Sequence, residues 1–204
     1  PIEHIFTSGS TESIHLGLLG SVRDHTPGRI VISNVEHPAV NSAAQQLVHK
    51  GWELVYWPVD KHGQVDLSKL EELLSYPTKL VSIIWGQSEV GTLQPIVYIG
   101  EECKSRGIIF HTDATQILSQ GSFNWSSLPV DLLSASAHKF QGPKGVGFLL
   151  CDKNLKEAFS PLTGGGGQEG NLRSGTEPVS LIAGMALAIE LLNSTVNSNN
   201  QNST

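Results

Sequence analysis

Ser134-Ala135-Ser136-Ala137-His138-Lys139-Phe140-Gln141-Gly142-Pro143-Lys144-Gly145 is the stretch on which the reading of this chain turns. It follows the segment Val130 to Leu133 and sets a lysine just beyond what reads as a strand over 131–135. Upstream, 108–111 reads as another strand that runs into Thr112-Asp113-Ala114-Thr115-Gln116. Working outward, 2–6, 29–33, 52–57, 80–85 and 146–151 are further short runs of strand character. Apolar runs with no polar alternation are strands buried on both faces. Between them, 38–50 reads as a helix with proline near its first turn, and 96–106 as a helix ending before Gly107. The segment 66–75 places Leu67, Leu70 and Leu74 on one helical stripe, and Ile182, Met185, Ala186 and Ile189 mark a last helix. This alternation predicts an α/β fold, a mostly parallel sheet with helices on both faces.

With 204 residues, the chain is near the upper size of a single core, and its formal charge of −6 lacks the basic footprint of a nucleic-acid partner. Cys103 and Cys151 are too few for a disulfide framework and have no metal or redox spacing, which fits a reducing cytoplasm. No stretch has the length of a membrane span, and no secretory signal opens the chain, so no membrane association is expected. The chain begins in mid-strand, which reads as a fragment: a large domain over 1–193 and a disordered Asn/Ser-rich tail over 194–204.

In an open α/β sheet, ligands gather beyond the carboxyl ends of the strands, and the candidate polar residues fall there. Ser8-Gly9-Ser10-Thr11 turns from a strand into a helix carrying Ile14, Leu18 and Val22. Such a helix start presents unpaired N–H groups that suit a phosphate, although Ser10 and Thr11 could equally be helix caps. His37, after the strand 29–33, could stack on a flat ligand or sit in solvent. Ser88, in Gly86-Gln87-Ser88-Glu89-Val90-Gly91, offers a short polar group or a bare turn. Asp113 follows a buried run and needs a cationic partner, either a salt bridge or a protonated pyridine nitrogen. Gln116 could reach the same ligand, and Ser136 and His138 flank Lys139 as donors. A lysine and an acid at neighbouring strand ends are what a pyridoxal phosphate site needs, the amine condensing with the aldehyde and the acid keeping the ring protonated. In Gly164-Gly165-Gly166-Gly167 through Arg173-Ser174-Gly175-Thr176, Arg173 could meet an anion bidentately, or the loop could be a plain connection.

Five ordered stretches resemble the class V aminotransferase family, specifically its cysteine desulfurases and selenocysteine lyases: Thr7 to Ser13, Val35 to Val40, His111 to Gln116, Ala137 to Gly145, and Gly165 through Thr176. The resemblance implies the large domain of a fold-type I pyridoxal 5'-phosphate enzyme. Lys139 is then the Schiff-base lysine and Asp113 the pyridine partner, with His37 stacked on the ring. Gln116 meets the phenolic oxygen, and Ser10, Thr11, Ser136 and His138 surround the phosphate. Thr176 reaches the phosphate of a second subunit, implying a homodimer. The substrate implied is cysteine or selenocysteine, with sulfur passed to an acceptor protein. Ser88 stands where the family carries an asparagine, and Glu169-Gly170 where it carries an acid–arginine pair. Neither Cys103 nor Cys151 matches the family's nucleophilic cysteine, so the fragment alone is expected to be inactive. Two rivals are a non-catalytic interaction domain on this fold and a metal-dependent hydrolase using His37, His111, Asp113 and His138. Those four show no helix-facing ligand spacing, and no metal is expected.

Overall fold

The computed structural model describes residues 2–121, 124–156 and 158–201. In chain order the elements are β1 (Ile2–Thr7), α1 (Ser10–Gly20), β2 (Arg29–Ser33), α2 (Pro38–Val48), β3 (Glu53–Trp57), α3 (Leu70–Leu73), β4 (Thr78–Ile84), α4 (Ile96–Ser105), β5 (Ile109–Asp113), β6 (Leu132–Ser136), β7 (Gly147–Asp152), α5 (Lys153–Lys156) and α6 (Val179–Gln201). They build a seven-stranded sheet in the order β1-β7-β6-β5-β4-β2-β3. β7 is antiparallel to both of its neighbours, so it runs against the other six strands.

Strand alternation distributes the core between two faces. Ile30 and Ile32 pack with Leu18, Val40 and Leu47 of α1 and α2. Val31, between them, points the other way, into a core with Leu70, Leu73, Ile99 and Cys103 of α3 and α4. Burial on both faces explains the uninterrupted apolar runs. α2 begins where proline pre-sets the first turn and His37 Nδ1 accepts the N–H of Ala39 at 3.1 Å as its cap.

Three expectations change. The leucine stripe is Leu70, Leu73 and Leu74, while Leu67 is exposed. The chain enters through a 3-10 turn, Leu67–Lys69, whose tighter winding rotates Leu67 off the α-helical stripe. On α6 the buried positions are Met185 and Ala188, and Ala186 faces outward. The helix also runs on to Gln201, through much of the segment expected to be a tail. Each added residue gains a backbone bond once the packed turns around Met185 have formed. Residues 202–204 lie outside the described residues.

Candidate active site

The carboxyl ends of the six like-directed strands and the amino end of β7 share one rim. At one side of it, Thr7 and Ser136 both pair with Gly147. Gly147 leaves no room for a side chain: a Cβ there would lie 2.5 Å from the Ala135 carbonyl oxygen and 2.7 Å from Gly9 Cα. That close approach brings the turn before α1 against the end of β6. Gly9, at φ +151°, takes a backbone angle that favours glycine and forms the N-cap without a side chain. Ser10 and Thr11 are therefore not the caps, and they project from the first turn of α1. The buried Thr7 and Ser13 hydroxyls, 2.7 Å apart, brace the turn from behind.

A cavity of about 510 Å³ opens on this rim, lined by Ser10, Thr11, His37, Ser88, Asp113, Gln116, His138 and Lys139, with Glu36 and Thr115. An adjoining hollow of about 310 Å³ is lined by Ser10, Thr11 and His138 together with Ser136 and Lys144. The expected site residues thus converge, apart from Thr176, which is exposed and lines neither space. A third hollow, about 470 Å³, lies at the opposite ends of β5 and β6 beside Lys104 and Asp131 and gathers none of these residues.

Lys139 sits on a 3-10 turn, Ala137–Phe140, closed by Gln141 in the left-handed region at φ 64°. Ala137 and Phe140 on this turn pack with Val146 and with Met185 and Ala188 of α6, which holds the lysine's backbone from below. His138 Nδ1 and Ser136 Oγ are 2.8 Å apart. Burial, then Lys139 and Lys144, lower the His138 pKa, so its ring is neutral at pH 7. Asp113 is buried and accepts the N–H of Thr115 at 2.9 Å. Burial raises its pKa, opposed by the hydrogen bonding of Thr115 and by the neighbouring His37 and Lys139.

Glu36 was not singled out in the sequence, though it lies in the stretch with His37. It is buried, and its Oε1 accepts from the Ser33 hydroxyl at 2.5 Å and the Ile84 N–H at 2.7 Å. Its Oε2 and the Thr115 hydroxyl are buried without a hydrogen-bond partner, and both residues line the large cavity. An acid three residues past the last residue of a central strand was the available signal.

Arg173 is not open to an anion. It makes two bonds to Glu12 in the first turn of α1, at 2.7 and 3.3 Å. Burial pushes the Glu12 carboxyl up, but Arg173 and the Ser8 N–H hold it below its ordinary range. Cys103 and Cys151 are both buried, and burial pushes the Cys103 thiol up to about 12. His111 is buried between Ser82 Oγ, at 2.8 Å, and Ser134 Oγ, at 2.9 Å, away from the cavity, and its pKa falls to about 3. Among the described residues, no three His, Cys, Asp or Glu side chains are grouped to hold a metal ion. Nor is any helix there long and apolar enough to cross a membrane.

The family Aminotransferase class-V matches residues 2–203, and the chain belongs to it. Among relatives, it is 46% identical over 191 residues to the cysteine desulfurase IscS of Dictyoglomus turgidum, covering 93% of this chain and 48% of that protein. It is 42% identical to the mitosomal cysteine desulfurase of Trachipleistophora hominis, covering 91% of this chain and 43% of that one. A solved NifS-like protein superposes with a TM-score of 0.88 at 40% identity, over 93% of this chain and 53% of its own. The chain therefore spans about half the length of the relatives it matches.

Proposed function

We propose that this chain is the pyridoxal 5'-phosphate-binding part of a cysteine desulfurase, an enzyme that moves sulfur from L-cysteine to a protein thiol and leaves alanine. The observation that carries this reading is the buried Asp113 facing Lys139 across one cavity, with a helix amino terminus alongside. The fit is chemical. Asp113 lacks an ion pair among the described residues and suits a cationic ring nitrogen, while the first turn of α1 with Ser10, Thr11, Ser136 and His138 suits a phosphate. Two orphaned buried oxygens, on Glu36 and Thr115, point to polar groups still to be met.

When bound, the cofactor supplies an electron-accepting ring and an aldehyde that an amine can attack. Lys139 would hold that aldehyde, and its Nζ, when free, would be the base for the substrate α-proton. Asp113 orients the ring nitrogen and keeps it protonated. His37 covers one face of the ring, its Nδ1 committed to the Ala39 N–H and its orientation thereby set. Gln116 and Ser88 meet the ring oxygen side, and Ser10, Thr11, Ser136 and His138 retain the phosphate. Thr176, outside the cavity of its own chain, serves the site of a second copy in a homodimer. The sulfur-accepting thiol is neither Cys103 nor Cys151, because both are buried. It belongs to the length of the relatives that this chain does not span. We place the activity in the cytoplasm, with sulfur passed to an acceptor protein for iron–sulfur cluster assembly. Titration with pyridoxal phosphate followed by borohydride is expected to fix the cofactor to the wild-type protein and not to Lys139→Ala. A reducible, protein-bound absorption band in Lys139→Ala overturns the assignment.

A further inference from the structure

The relation of Glu36 to Asp113 goes beyond the roles above. β2 ends at Ser33, and the Glu36 carboxylate reaches back to take the N–H of Ile84 in the neighbouring strand. Ile84 is the register partner of Asp113 across β4 and β5. Two buried carboxyls thereby flank the end of β4, and both line one cavity. Their surroundings differ. Asp113 accepts the Thr115 N–H and is faced by His37 and Lys139. Glu36 is met by the neutral donors of Ser33 and Ile84 at Oε1 and by the negative field of Asp113, while its Oε2 is unpartnered. The other charged or titratable groups lining the space are Glu89 and His138. Two like charges buried beside one cavity cannot both persist cheaply, so one carboxyl keeps a proton, and it is the one met only by neutral donors.

We infer that, of the two buried carboxyls lining this cavity, Asp113 is the ionised one and Glu36 keeps a proton on Oε2, the oxygen that meets no partner in the protein. The cavity then offers one negative charge to a cationic ring, with a hydrogen-bond donor beside it. The proton assignment stands on the unliganded protein, whereas its effect on cofactor rests on the reading of Asp113 given above.

The test begins without cofactor. Infrared spectra of the purified protein are expected to show the carbonyl stretch of a protonated carboxyl at pH 7 that Glu36→Gln removes. In Asp113→Asn the midpoint at which that band is lost moves to lower pH, because a neighbouring negative charge has gone. Absence of the band at pH 7, or an unmoved midpoint in Asp113→Asn, overturns the inference. A second arm titrates pyridoxal phosphate. Glu36→Leu, lacking acceptor and donor, is expected to weaken binding at least tenfold, and Glu36→Gln, which has both, to recover most of that loss. Equal losses in the two variants count against the inference. Failure of the wild-type protein to bind pyridoxal phosphate refutes the proposed function instead, and the infrared arm still decides the proton.

Discussion

Replacing Glu36 by glutamine is expected to flatten the pH dependence of stability, and the size of the change follows from the burial of that carboxyl. Burial, reinforced by the Asp113 charge and opposed by the bonds from Ser33 and Ile84, raises it from 4.5 to about 8. The folded protein thus keeps a proton that the unfolded chain releases near pH 4.5. Between those values folding takes up a proton, and stability falls as pH rises, by roughly 1.4 kcal/mol per pH unit. This group's stability is fully present below pH 4.5 and levels off at its lowest above about 8. At pH 7 the accumulated cost is about 3 kcal/mol. Glutamine keeps an acceptor for Ile84 and has no proton to lose. Urea unfolding of the unliganded proteins from pH 5 to 8 should therefore show the variant gaining on the wild type by about 3 to 4 kcal/mol across that range. Asp113 and Asp131, whose pKa values are also raised by burial, contribute with the same sign in both proteins and largely cancel in the difference. Parallel curves would refute the reasoning.

Arg173→Ala should leave the Glu12 carboxylate uncompensated beside the hollow proposed to take the phosphate and lower the affinity for pyridoxal phosphate roughly tenfold. Recovery in Arg173→Ala/Glu12→Gln, measured by the same titration, checks that the cause is charge. Gly147→Ala forces a methyl against the Ala135 carbonyl and Gly9, and a loss of about 2 kcal/mol or more is expected in thermal or urea melts. An unchanged melt would show that the turn can retreat freely. Iodoacetamide at pH 8 should leave both cysteines of the native protein unmodified, because each is buried and the Cys103 thiol is raised to about 12. Rapid labelling, read by mass spectrometry, would contradict this.

The strands framing the site are legible because each is a short apolar run ended by small polar residues, as in Ile30-Val31-Ile32 before Ser33. The convergence of Asp113 and Lys139 follows from those strand ends once the sheet is parallel there. The reversed direction of β7 is less visible, since a run such as Phe148-Leu149-Leu150 reads alike both ways. The signal lay in the connection from Ser136 to Gly147, which is too short to cross over with a helix. Glu36 was hidden for another reason. An acid in a polar turn looks solvated, and only a bond to Ile84, 48 residues away, reveals that it is buried. Arg173 likewise reads as an anion ligand until folding brings it to Glu12, 161 residues distant.

The pairing of β1 with β7 also bears on how the chain is made. Among the described residues, β1 lies at the sheet edge with β7 as its one strand neighbour. At ribosomal speeds β1 waits roughly ten seconds or more for that neighbour to be synthesised. Until then its apolar side chains and open backbone edge are exposed to chaperones and to other nascent chains, and the glycine turn that follows it is among the last parts of the cavity rim to assemble.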